Sequence, residues 1–101
     1  MINIENNELK RENEISLLKF GAVWCGPCRV IKPVIEAVEN ELSGKNIDFL
    51  DIDVDKNESL ALDFGIRAVP TTIIMKGEEV IDFMTGVQSK EILIQKLQEL
   101  S

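Results

Sequence analysis

Apolar positions along the chain fall into short blocks whose period changes from block to block. INI (2–4) is a candidate edge strand. ISLLKFGAVW (15–24) is apolar at both alternating positions, the pattern of a strand covered on both faces, except for Lys19 in its middle. From Cys28 onward, Val30, Ile31, Val34, Ile35, Val38 and Leu42 recur at helical spacing, and Ser43-Gly44 supplies a stop. Pro33 lies inside that helix, where its ring removes one backbone bond and crowds the carbonyl of Arg29, so a kink is expected one turn after the cysteines. IDFLDIDV (47–54) reads as a third strand. Asn57 is placed to cap a short helix over ESLALDF, which Gly65 ends. TTIIM (71–75) and EVIDFM (79–84) form a hairpin across Lys76-Gly77-Glu78-Glu79. Ser89 caps a last helix striped by Leu93, Leu97 and Leu100. The order βαβ, α, ββα predicts an α/β fold: a mixed sheet with helices on both faces.

Length and charge narrow the class. With 101 residues, 45% of them hydrophobic, the chain is expected to form one domain over 1–101 with a true core. The first ten residues, MINIENNELK, lack the basic and apolar regions of a secretory signal, and no apolar run reaches membrane-spanning length. The expectation is a cytoplasmic monomer with no membrane association. A net charge of −7 opposes nucleic-acid binding, which needs clustered Lys and Arg. The absence of histidine removes imidazole as base or metal ligand.

The remaining candidate chemistry is the pair Cys25 and Cys28. It could be a structural staple, half of a zinc site or a reversible dithiol. A staple across so short a loop constrains the unfolded chain by only about 2 kcal/mol. A zinc site of thiolates or imidazoles would need a second chain to complete its ligands. The dithiol reading gains from position, since Cys25 follows a buried strand and opens the long helix, where unpaired N–H groups and the helix dipole favour a thiolate.

WCGPC at 24–28, the helix carrying Pro33, GIRAVPT at 65–71 and Gly86 after the last strand resemble the thioredoxin family, in order and with compatible spacing over residues 15–101. The resemblance implies a thioredoxin-like fold and a protein-disulfide reductase, with no bound cofactor beyond a redox-active Cys25–Cys28 disulfide. Cys25 would attack a target disulfide and Cys28 would resolve the mixed disulfide. Trp24 would flank the thiol, Gly26 would let backbone approach, and Pro27 would stiffen the helix start. Val69-Pro70 would be a cis peptide beside the dithiol, leaving Val69 free to pair with an extended substrate. Ile66, Ala68 and Val87 would add an apolar rim, with core packing the alternative for Ile66, and Gly86 would belong to the substrate-binding face. The implied partners are a thioredoxin reductase and disulfide-bearing proteins. Two other readings compete: a docking module whose redox state is incidental, and a dithiol oxidant or isomerase.

Three positions depart from the family pattern. An aspartate is usual at the place of Lys19, a lysine at the place of Asp51 and often a tryptophan at the place of Gly21. The segment before the central strand is also short for a full first helix. A right-handed crossover would place Asp51 beside Lys19, so a Lys19–Asp51 ion pair beneath the dithiol is expected, with a role in proton transfer or thiolate stabilisation. The alternative is that Lys19 snorkels to solvent.

Overall fold

A computed structural model describes residues 1–101. Its elements are β1 (Ile2–Asn3), β2 (Ile15–Gly21), α1 (Gly26–Glu41), β3 (Ile47–Asp53), α2 (Glu58–Asp63), β4 (Thr71–Lys76), β5 (Glu79–Thr85) and α3 (Lys90–Leu100). The strands form one sheet in the order β1-β3-β2-β4-β5. β1 and β2 run parallel to β3, while β4 runs antiparallel to β2 and β5 antiparallel to β4. The sheet is mixed, as the element order implied.

β2 is central and every residue of it is buried, which is why its sequence shows no polar alternation. Its side chains still alternate between two cores. Ile15 and Leu17 join Ile31, Ile35 and Val38 of α1 and Leu93 and Leu97 of α3 on one face. Leu18 and Phe20 join Leu50, Ile52, Leu60 and Ile73 on the other. Each fully buried Leu or Ile stabilises the fold by about 1.5–3 kcal/mol. By this alternation Lys19 and Gly21 fall on the face under α1. No helix is long and apolar enough to cross a membrane.

Several boundaries differ from the sequence reading. β2 ends at Gly21, so Ala22, Val23 and Trp24 form a connection to α1, with Val23 and Trp24 exposed. Val30 belongs to the helical apolar pattern yet stands 57% exposed, because the stripe that meets the sheet is Cys28, Ile31, Ile35 and Val38. α1 runs without interruption through Pro33.

Asn57 stands at the cap position of α2 but makes no capping bond with its side chain. Its amide instead donates to Ile4 O and Asp53 O, and its carbonyl accepts from Asn7 N. The capping acceptor comes from far along the chain: Asn7 Oδ1 receives the Leu60 N–H at 3.0 Å. Asn7 reaches it with φ of 57°, a conformation asparagine tolerates better than most residues. Asp48 also holds this segment, accepting from the backbone N–H groups of Glu12 and Asn13 at 2.8 Å each. The stretch between β1 and β2 is therefore a pinned loop and contains no helix.

Candidate active site

The site lies past the end of β2, where the chain turns into α1. Cys25 is the N-cap of that helix, with extended backbone (φ −91°, ψ 113°), and its Sγ accepts the Cys28 N–H at 3.2 Å. Gly26 and Pro27 fill the first two helical positions and are exposed. Proline is suited to the first turn because its missing N–H would have no intrahelical partner there. Cys28 follows one turn into the helix and forms a disulfide with Cys25, their Cα atoms 5.3 Å apart.

The second wall comes from the loop before β4. Val69-Pro70 is a cis peptide, and Val69 O lies 3.7 Å from Cys25 Sγ. No hydrogen bond within the chain engages the Val69 N–H. Gly86, at φ of 90°, donates its N–H to Pro70 O at 2.8 Å, which locks the end of β5 against this loop. Val87 beyond it is 47% exposed. Ala68 is exposed, and its carbonyl accepts from Thr71 Oγ1 at 2.7 Å. Ile66 contributes less to the rim than expected, because it packs against the Leu18 and Phe20 core and is only partly exposed.

Trp24 is 67% exposed, and its indole N–H donates to Asp55 Oδ2 at 2.8 Å. Asp55 escaped the sequence reading. The signal available was its place just past β3, whose C-terminal end meets the same edge of the sheet as that of β2.

Beneath the disulfide the expected ion pair forms. Lys19 and Asp51 are register partners on β2 and β3, and Lys19 Nζ lies 3.1 Å from Asp51 Oδ1. The side chains are 8% and 16% exposed, so the lysine does not snorkel. They line a cavity of about 450 Å³ that also reaches Gly21 and Cys28. No cluster of metal-ligating side chains is present.

Both cysteines are almost wholly buried, at 4% and 3% exposure, so accessibility does not separate them. Their neighbours do. Cys25 takes a backbone N–H at a helix start and faces a loop with an unpaired amide, while Cys28 faces a charged cavity. A disulfide so placed can be attacked, exchanged and re-formed without any bound group, which defines a thiol–disulfide oxidoreductase.

The comparisons with known proteins agree. The thioredoxin family model matches residues 4–99. The chain is 39% identical over 92 residues to thioredoxin 2 of Chlorobaculum tepidum, covering 91% of this chain and 84% of that one. It is 41% identical over 88 residues to a thioredoxin of Staphylococcus epidermidis, covering 87% and 84%. Among solved structures, a mutant thioredoxin from Halobacterium salinarum superposes with a TM-score of 0.85 at 27% identity, covering 97% of this chain and 88% of that one. The thioredoxin of Malassezia sympodialis gives 0.77 at 31% identity, covering 88% and 76%. The chain belongs to the thioredoxin family, and its redox-active Cys25–Cys28 pair makes it a protein-disulfide reductase of that family.

Proposed function

We propose that residues 1–101 work as a single-domain, monomeric thioredoxin that reduces protein disulfides in the cytoplasm and is itself re-reduced by a thioredoxin reductase. The observation that carries the division of labour is the Cys28 N–H directed at Cys25 Sγ at the start of α1. That bond and the helix dipole favour a thiolate on Cys25, the species that attacks a disulfide.

Cys25 thiolate attacks one sulfur of the target, forming a Cys25–target disulfide and releasing the other target sulfur as a thiolate. Cys28 thiolate then attacks Cys25 Sγ. The Cys25–Cys28 bond forms, the Cys25–target bond breaks, and the electron pair leaves on the target sulfur that Cys25 had attacked; both released target sulfurs take their protons from solvent. Two electrons thus pass from the dithiol to the target.

Trp24, Gly26, Pro27, Ile66, Val69, Pro70, Gly86 and Val87 form the docking face. The free Val69 N–H and its carbonyl offer strand-like pairing to an extended target segment. Lys19 and Asp51 act on the second step through the charge beneath Cys28.

The test is turnover of an accessible interchain disulfide with a small dithiol as electron source. The native chain catalyses it and Cys25→Ser does not. Retained turnover in Cys25→Ser overturns the nucleophile assignment. A midpoint potential near the −120 mV of a strong dithiol oxidant, and not near the −270 mV or so known for thioredoxin, overturns the reductive direction.

A further inference from the structure

The polarity of the buried ion pair has a consequence for Cys28. A methyl group built on Gly21 would lie 3.3 Å from Cys28 Sγ, 3.3 Å from Lys19 Nζ and 3.4 Å from Lys19 Cε. These are its three nearest heavy atoms, so the ammonium comes nearer to this point than any carboxylate oxygen does. Gly21 therefore leaves a notch that the sulfur and the ammonium share, separated by no more than twice that distance. Asp51 holds Lys19 from the next strand. Thr72, opposite Lys19 on β4, is fully buried and its hydroxyl has no partner. The row Asp51, Lys19, Thr72 thus crosses three strands under α1 and presents a cation and a spare hydroxyl donor, where an apolar layer would be the default.

We infer that Lys19, seated in the notch left by Gly21, is the counter-ion of the Cys28 thiolate, and that the orientation of the Lys19–Asp51 pair favours ionised Cys28 in the reduced protein. The inference rests on the reading above that Cys28 is the resolving sulfur. In the disulfide state Cys28 carries no charge and Lys19 is satisfied by Asp51. On reduction an anion appears beside the ammonium. An opposite charge at this range favours the ionised form, and partial burial weakens its screening.

Other charged groups border the same cavity. Arg29 and Lys32 approach from α1, Lys56 from the turn after β3, Asp53 from the end of β3 and Glu5 from the loop after β1. The cations outnumber the carboxylates around Cys28, although the whole chain carries −7. Their background is shared by every variant below. What Lys19 adds is a charge at the notch itself.

Two effects follow. Cys28 attacks as its thiolate, so the resolving step stays fast at lower pH than it would above a carboxylate. Stabilising a thiolate present only in the reduced protein also favours reduction, which makes the potential less negative.

The test reads one sulfur. In Cys25→Ser, Cys28 is the only thiol, and the ultraviolet absorbance of its thiolate titrates independently of whether the protein reduces anything. An inactive reductase therefore cannot mimic a negative result. Into this background go Lys19→Asp and Asp51→Lys together, which keep an ion pair but turn its negative end towards the sulfur. The expected result is a rise of about one pH unit in the titration midpoint, a tenfold loss of thiolate at pH values below it. Gly21→Ala, which keeps both charges but sets a methyl 3.3 Å from both the sulfur and the ammonium and so wedges the two apart by a few tenths of an ångström, shifts the midpoint in the same direction by less. With both cysteines present, and at a pH above both midpoints so that Cys28 is ionised in the reduced protein, the charge exchange makes the midpoint potential more negative by about 30 mV, the two-electron equivalent of tenfold. A folded charge-exchanged protein with unchanged midpoint and potential overturns the inference. Should that variant fail to fold, an unchanged midpoint in Gly21→Ala overturns it.

Discussion

The two sulfurs of one disulfide, three residues apart, sit in opposite kinds of surroundings. Around Cys25 the protein offers backbone and apolar surface: the Cys28 N–H, the Val69 carbonyl at 3.7 Å, and exposed Trp24 and Val87 nearby in the fold. Around Cys28 it offers side-chain charge, with the Lys19 ammonium in the notch beside Gly21 and Asp51 paired to it. Since both cysteines are equally buried, the difference between them lies in environment. On the function proposed above, the Cys25 side accepts another chain and the Cys28 side controls one ionisation. A symmetric site could exchange disulfides but would not fix which sulfur meets the target.

Breaking the Cys28 side should have the larger effect on the fold. Lys19→Ala leaves the partly buried Asp51 without its partner, and should lower stability by up to about 3 kcal/mol in denaturant unfolding. Lys19→Met with Asp51→Leu should recover much of that loss, since an apolar pair strands no charge. A cost near zero for Lys19→Ala would mean that the cavity hydrates the carboxylate as well as bulk water does.

Changes on the Cys25 side should instead act on targets. Trp24→Ala should lower kcat/KM for protein disulfides by about tenfold, as expected for loss of one exposed aromatic contact of about 1.4 kcal/mol. It should leave stability nearly unchanged, because the ring is 67% exposed. A stability loss as large as that of Lys19→Ala would erase the distinction between the two sides. The same indole reports on the disulfide. Its emission should rise on reduction, and an unchanged spectrum would place the ring away from Cys25 and Cys28.

Asp55→Ala should give a smaller fall in kcat/KM than Trp24→Ala, since it frees the indole N–H without removing the ring. Equal losses would show that orientation of the ring, more than its area, is what targets use.

The smallest effect is expected far from the site. Lys90 at the start of α3 pairs with Glu41 at 2.9 Å, and the hydrogen bond it donates to the Glu41 carboxylate, followed by the charge of that carboxylate, raises the Lys90 pKa above the ordinary lysine value. A raised folded-state value means that the contribution is complete below the ordinary lysine range and is lost as pH rises through the raised value. Because the pair is exposed, Lys90→Ala should change thermal stability only slightly, and high salt should abolish the difference.

The fold was legible because each element carries its own signal. The β2 run, apolar at both alternating positions but for Lys19, and the Ser89 cap of α3, whose Oγ accepts the Ile92 N–H, are local facts that the structure repeats. The cysteines were legible from the WCGPC motif at a helix start, and the ion pair from opposite charges at Lys19 and Asp51 on two strands that a right-handed crossover makes neighbours. What the sequence hid depends on contacts between distant segments. Asn57 looks like a cap, yet the acceptor that caps α2 is Asn7, fifty positions earlier in the chain. Val30 fits the helical stripe but faces solvent, because the sheet covers an arc of α1 narrower than its apolar face. Asp55 has no motif, and only the fold brings it to Trp24. Gly21 was visible as a departure from the family, but that its missing side chain joins Lys19 to Cys28 is a matter of tenths of an ångström.

The division of labour between the sulfurs is tested most directly by trapping. Cys25→Ser and Cys28→Ser, each reduced, are mixed with an extended peptide carrying a disulfide, and the products are weighed intact. The account predicts a stable mixed disulfide on Cys25 in the Cys28→Ser protein and little or none on Cys28 in the Cys25→Ser protein. A mixed disulfide that forms as fast and as fully on Cys28 would contradict it, and would show that the charged cavity admits targets as readily as the face beside Trp24.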